Sequence, residues 1–248
     1  MPTTTFSVNR NQVITSALRK LGVLELGEVP DAETIANGSF VLNLLIKQLA
    51  TSGLRLWTID EYVLPLVANK TFYTIGPALT SDLATDRPLK VIQSFLRNTS
   101  ATPNIDIPMT LISKQEYNIL GSKFSTGIVN SVYYDIRQTD GILYVFLTPD
   151  ANTSTNYELH FFGQRPLYDI NSASDVPDFP NEWFNTLVWN LADQLAIEYG
   201  VPANHRQEIA MRAKAYLDQM DDWDTETTST FFQPDMRMAV QGQRNMVL

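Results

Sequence analysis

The densest group of side chains able to do chemistry is the run DQMDDWDTE, which carries Asp218, Asp221, Asp222, Asp224 and Glu226. Paired carboxylates are the machinery of glycoside cleavage, one serving as acid and the other as base or nucleophile. The run closes an amphipathic segment, however, where helical neighbours one apart diverge and acids oppose the helix macrodipole. Solvent or a basic partner is the competing use. Only two histidines occur, His160 in a strand-like segment and His205 at a helix start, too few for a multi-histidine metal site. No serine stands in a Gly-x-Ser-x-Gly elbow and no glycine-rich phosphate loop precedes a lysine, which disfavours acyl transfer and nucleotide hydrolysis. With no cysteine there is no disulfide framework, no thiolate nucleophile and no cysteine-held zinc. Trp57, Trp183, Trp189 and Trp223 are scattered and read as packing residues, because an aromatic nucleic-acid platform needs basic neighbours. These types and spacings assign no catalytic, cofactor-binding or metal-binding residue.

Composition narrows the classes further. A chain of 248 residues that is 44% hydrophobic can bury a real core. The net charge of −9 is unevenly placed: up to Phe124 there are 11 basic and 10 acidic residues, and from Ser125 onward 7 and 17. An acidic surface repels phosphates, which argues against a groove reader or an RNA-binding module. The opening MPTTTFSVNRNQ lacks the apolar core of a signal peptide, and no run approaches the roughly 18 apolar residues of a membrane span, so neither export by signal peptide nor a membrane role is expected.

What would position these residues follows from periodicity. In NRNQVITSALRKLG, the residues Val13, Ile14, Ala17, Leu18 and Leu21 share one helical face and Gly22 is placed to end it. A second stripe, Ile35, Leu42, Leu45 and Leu49, runs between Asp31 and Gly53, with Gly38 weakening its middle. The period then drops to 2. EYVLPLVANKTFYTIG reads as strand, turn at Ala68 to Lys70, and strand; RPLKVIQSFLRN adds a strand with Val91, Gln93 and Phe95 on one side; SVYYDIRQ adds another. LISKQEYNIL interrupts them as a short helix, with Ser113 and Glu116 spaced as a capping box. GILYVFLTPDANTSTNYELHFFGQRPLYDI reads as a hairpin, its arms Ile142 to Leu147 and Tyr157 to Phe162 joined by the polar loop Pro149 to Asn156.

Helical period returns in DVPDFPNEWFNTLVWNLADQLAIEYGVP, where Phe184, Leu187, Val188, Leu191 and Leu195 form a stripe, Pro180 suits the first turn, and Gly200 with Pro202 stops it. A fourth helix from Asn204 carries Ile209, Ala213, Tyr216, Leu217 and Met220 inward. The expectation is an α+β protein: terminal helices (1–56 and 179–226) forming a small bundle, an inserted, mostly antiparallel β domain (57–178), and an extended tail (227–248). That tail has no period that would bury Phe231, Phe232, Met236, Met238 and Met246 in its own chain, so these residues are expected to anchor it on a partner.

The order of ALRKLGVLELGEVPDAETIANGSFVLNLLIKQLATSGLRLW, NKTFYTIG, YYDIRQTDGILYVFLTPD, YELHFFGQRPL and DFPNEWFNTLVWNLADQLAIEYG resembles the head-to-tail connector proteins of tailed bacteriophages, those related to tail tubular protein A. The resemblance implies a structural virion protein without cofactor or catalysis, assembled in the host cytoplasm. Its implied partners are the portal, neighbouring copies in a ring of about twelve, a downstream tail nozzle or tube protein, and double-stranded DNA passing without sequence-specific binding. A monomer that forms its ring on the portal is expected. The rival readings are a peptidoglycan-cleaving enzyme of the tail, using acids among Asp221 to Glu226, and a tail-tube or baseplate protein.

Overall fold

The first two helices begin where their own side chains dictate. In the computed structural model, which describes residues 6–53 and 55–224, α1 (Arg10–Leu21) starts at a capping box between Asn9 and Gln12 and stops at Gly22, whose φ of 73° is the left-handed conformation that favours glycine. Its buried residues are the five of the expected stripe. Asp31 caps α2 (Ala32–Thr51) through the Thr34 N–H at 2.7 Å. At Gly38 α1 and α2 pack tightly: a Cβ there would lie 2.6 Å from Ile14 Cγ2, so the weak point in the helical pattern is a packing requirement.

Between the helix pairs lie β1 (Ile59–Pro65), β2 (Phe72–Gly76), β3 (Leu83–Ala84), β4 (Lys90–Asn98), β5 (Ile105–Pro108) and β6 (Thr110–Leu111). After α3 (Lys114–Ile119) come β7 (Thr126–Gly127), β8 (Ser131–Ile136), β9 (Gly141–Phe146) and β10 (Thr148–Pro149); after α4 (Ala151–Asn156) comes β11 (Tyr157–Gln164). One sheet has the order β1-β11-β4-β5, the other β3-β2-β9-β8-β6, and β10 pairs with β7. The long pairings are antiparallel; β2 with β3, β6 with β8 and β10 with β7 are short parallel ones. Tyr62, Leu64, Leu96, Leu159 and Phe161 from the first large sheet share a core with Tyr73, Ile75, Val132, Leu143 and Val145 from the second.

Two strand-level expectations are corrected. The arms of the expected hairpin do not pair: β9 lies between β2 and β8, while β11 lies between β1 and β4. The segment between them crosses from one sheet to the other, and it carries α4, capped by Asp150 on the Thr153 N–H at 2.7 Å. The ten residues 147–156 are enough to change sheets, whereas tight hairpins use two to five. Nor do Val91, Gln93 and Phe95 share a side. The register between β4 and β11 slips at Phe162/Gly163, so Ile92 is an extra residue. This bulge reverses the alternation: Val91 packs with the core alongside buried Ser94 and Leu96, and Gln93 is exposed.

A 3-10 turn, Asn181–Trp183, leads into α5 (Phe184–Leu195), and α6 (Ala203–Trp223) starts one residue before its expected position, after Pro202, with no side-chain cap. The four long helices bury their stripes against one another, joined by Leu167, Ile170, Phe179 and fully buried Trp183. Helices and sheets meet where Gln164 Nε2 donates to the carbonyls of Ala50 (3.4 Å) and Gly53 (3.3 Å) and where Arg165 pairs with Asp178. Among the described residues, no helix is long and apolar enough to cross a membrane.

Candidate functional site

The acidic run ends α6, and its carboxylates surround a buried guanidinium. Arg55 follows α2, and only 3% of its side chain is exposed. Its Nη1 lies 2.5 Å from Asp221 Oδ1 and 4.0 Å from Asp224 Oδ2. Nη2 donates to Ser52 Oγ at 3.0 Å, and the guanidinium sits 4.6 Å from the Trp183 ring centroid. Asp224 Oδ1 accepts the Leu56 N–H at 3.3 Å. Burial pushes the Asp224 carboxyl above the ordinary carboxylate range, opposed by the Leu56 N–H and by Arg55. Two glycosidase carboxylates flank a space for a sugar and a water; Asp221 and Asp224 instead hold one cation and fasten the end of α6 to the start of the sheet region.

Asp218 and Asp222 are exposed, and Glu226 lies outside the described residues. His160, on the central strand β11, is buried against Phe95, with which it stacks at 4.9 Å, and its Nδ1 lies 2.7 Å from Glu61 Oε1. Glu158 Oε2 is 3.7 Å from Nε2. This is a cross-strand brace on the outer face of the sheet. His205 stands partly exposed in the first turn of α6. No group of three or more His, Cys, Asp or Glu is gathered as a metal site among the described residues.

Three of the four tryptophans pack as expected. Trp57 and Trp183 form a cluster with Phe179, and Trp189 lies between Lys20 and Arg212, 5.0 and 5.3 Å from its ring. Trp223 does not: at 59% exposure beside the end of α6 it is a surface aromatic, because the helix turns its Met220 flank to the core instead. The anchors named from the tail, Phe231, Phe232, Met236, Met238 and Met246, lie outside the described residues.

Sequence reasoning passed over Arg55. Its signal is present in GLRLW, where one arginine stands among apolar neighbours and asks for a partner that only a remote segment supplies. The reading also passed over large apolar side chains left at the surface of the helical body, among them Leu26 (91% exposed), Val29 (83%), Ile197 (71%) and Met211 (61%).

The acidic run is thus a joint around Arg55, and large apolar side chains stand on the outside of the helical body. No curated protein matches it. Residues 9–235 match the family model described as SU10 adaptor protein, and the chain belongs to that family of phage head–tail adaptors.

Proposed function

We propose that the protein is a structural subunit of the virion neck that forms a ring below the portal, extends the DNA channel, retains packaged DNA and offers the platform on which the tail assembles. The family match over residues 9–235 carries this reading. The architecture supports it: 1–56 and 179–226 would form the ring body, 57–178 the appended sheet block turned toward the tail, and 227–248 the docking tail, whose Phe231, Phe232, Met236, Met238 and Met246 would seat on the portal. The large sheet block between the helix pairs favours an adaptor of the tail tubular protein A type. With about twelve copies, each at −9, a negative lumen would let DNA pass during packaging and ejection without sticking.

The test is to add purified protein to DNA-filled, portal-bearing heads that lack it and to image the particles. A ring under the portal and retention of DNA are expected. Protein found on tails without heads, or heads that keep their DNA equally well without it, would overturn the proposal.

A further inference from the structure

The tip of the α1–α2 hairpin is a shaped knob with its apolar side chains turned outward. Gly22 and Gly27, at φ 73° and 90°, bend the chain. The turn between them and α2 is closed by the Glu28 N–H on the Glu25 carbonyl at 3.2 Å and by the Glu25 N–H on Glu28 Oε2 at 3.1 Å. Leu26 and Val29 project from it, the second and third most exposed large apolar residues of the described chain. Around them stand Glu25, Glu28, Asp31 and Glu33, and from Leu21 through Ile46 there is no basic residue.

A groove of about 800 Å³ opens between the end of α5 and the start of α6, lined by Asp193, Gln194, Ile197, Ala203, Arg206 and Ala210. Ile197, 71% exposed, gives it apolar surface, and Arg206 gives it a cation. Burial holds the Asp193 carboxyl above its ordinary range, with Arg206 opposing, so charge is already costly in the groove. Knob and groove lie at one end of the bundle, because Asn37 Nδ2, near the start of α2, donates to Glu198 Oε2 in the turn after α5 at 2.6 Å. They belong to different helix pairs. A head-to-tail contact closes into a ring when two unlike surfaces on different flanks meet under rotation alone, and surfaces at one level meet that condition.

We propose that the Glu25–Glu28 turn of one copy, with Leu26 and Val29 foremost, docks into the α5–α6 groove of the next copy. The inference rests on the ring reading above and names the surface that makes the ring. Apolar side chains cover Ile197, and the acids of the knob meet Arg206. One turn in one groove buries less than the roughly 1,200 Å² of a stable free pair, so single contacts dissociate and the ring closes only where the portal gathers the copies.

The absence of cysteine makes the test clean. A Val29→Cys, Ala210→Cys variant bound to portal-bearing heads and oxidised is expected to give a ladder of covalent oligomers, and each single variant none. Rings that form but do not cross-link would overturn this interface and leave the ring reading standing. Failure of wild type and variant alike to bind heads would overturn the ring reading and the interface with it. A Leu26→Asp, Val29→Asp variant, altered only at exposed positions, should keep the wild-type melting curve and lose head occupancy at least tenfold; unchanged occupancy would overturn the proposal.

Discussion

The helical body and the sheet block build their cores by opposite routes. In the body, each helix declares its buried face within its own sequence, and Val13, Ile14, Ala17, Leu18 and Leu21 meet Leu187, Leu191 and Leu195 with little latitude. In the block, strands that look alike locally are distributed between two sheets by contacts remote in sequence, such as β1 with β11. The two regions also differ in their reporters and charges. Trp57, Trp183, Trp189 and Trp223 all lie in or against the helices, while Tyr62, Tyr73, Tyr117, Tyr133, Tyr134, Tyr144 and Tyr157 belong to the block. Tyr199 and Tyr216 pack against the helices, so tryptophan emission reports the body and tyrosine near-ultraviolet dichroism mainly the block, which lets the comparison be broken by experiment.

Acid gives the largest expected difference. In the block, several carboxyls sit below their ordinary range: Asp106 through its hydrogen bonds from Arg97, Asp135 through Tyr133, Asp150 through the Thr153 N–H and Glu116 through the Ser113 N–H. At Asp82 burial pushes upward, but hydrogen bonds from Lys70 and Thr74 win. In the body, among the described residues, only Asp31, held by Thr34, is lowered with a comparable cause, while burial raises Asp193 and Asp224. A lowered carboxyl contributes stability that is present above its unfolded pKa and lost as pH falls through the folded value; a raised one shifts stability the other way. Between about pH 5 and pH 2 the tyrosine signal should collapse before the tryptophan signal. Simultaneous loss of both would mean that the joints at Arg55, Gln164 and Arg165 weld the two regions into one cooperative unit.

Substitutions sharpen the same contrast. Trp183→Ala empties the site under Arg55 and beside Trp57 and should cost about 3–5 kcal/mol in denaturant titrations followed by helical dichroism. Gly38→Ala adds about 1 kcal/mol of helix propensity in a free peptide, yet the 2.6 Å approach to Ile14 should make it a net loss of about 1–3 kcal/mol. In the Ile14→Ala background that loss should shrink, and a purely additive double variant would refute the contact as its cause. The smallest effect is Ser113→Ala, which removes the bond from the Glu116 N–H at 3.2 Å and should cost about 0.5–2 kcal/mol, read on tyrosine dichroism with tryptophan emission unmoved.

The sequence by itself determined the four long helices, their buried stripes and most of their ends, because helix hydrogen bonds and caps act over three or four residues. Asn9 with Gln12, Asp31 with Thr34, and Ser113 with Glu116 are all readable at that range. It also marked the longer strands β1, β2, β4, β8, β9 and β11, but not the short β3, β5, β6, β7 and β10. Only the tertiary structure decided their partners: β9 and β11 carry the alternation of a hairpin, and nothing local tells β11 to leave β9 for β1 and β4. The bulge at Ile92 likewise depends on the strand opposite. The acidic run shows the same division most sharply. Its composition was plain, but whether Asp221 and Asp224 would serve chemistry or architecture was settled by Arg55, more than 160 residues earlier in the chain, because a buried guanidinium must have its carboxylates wherever the fold can bring them.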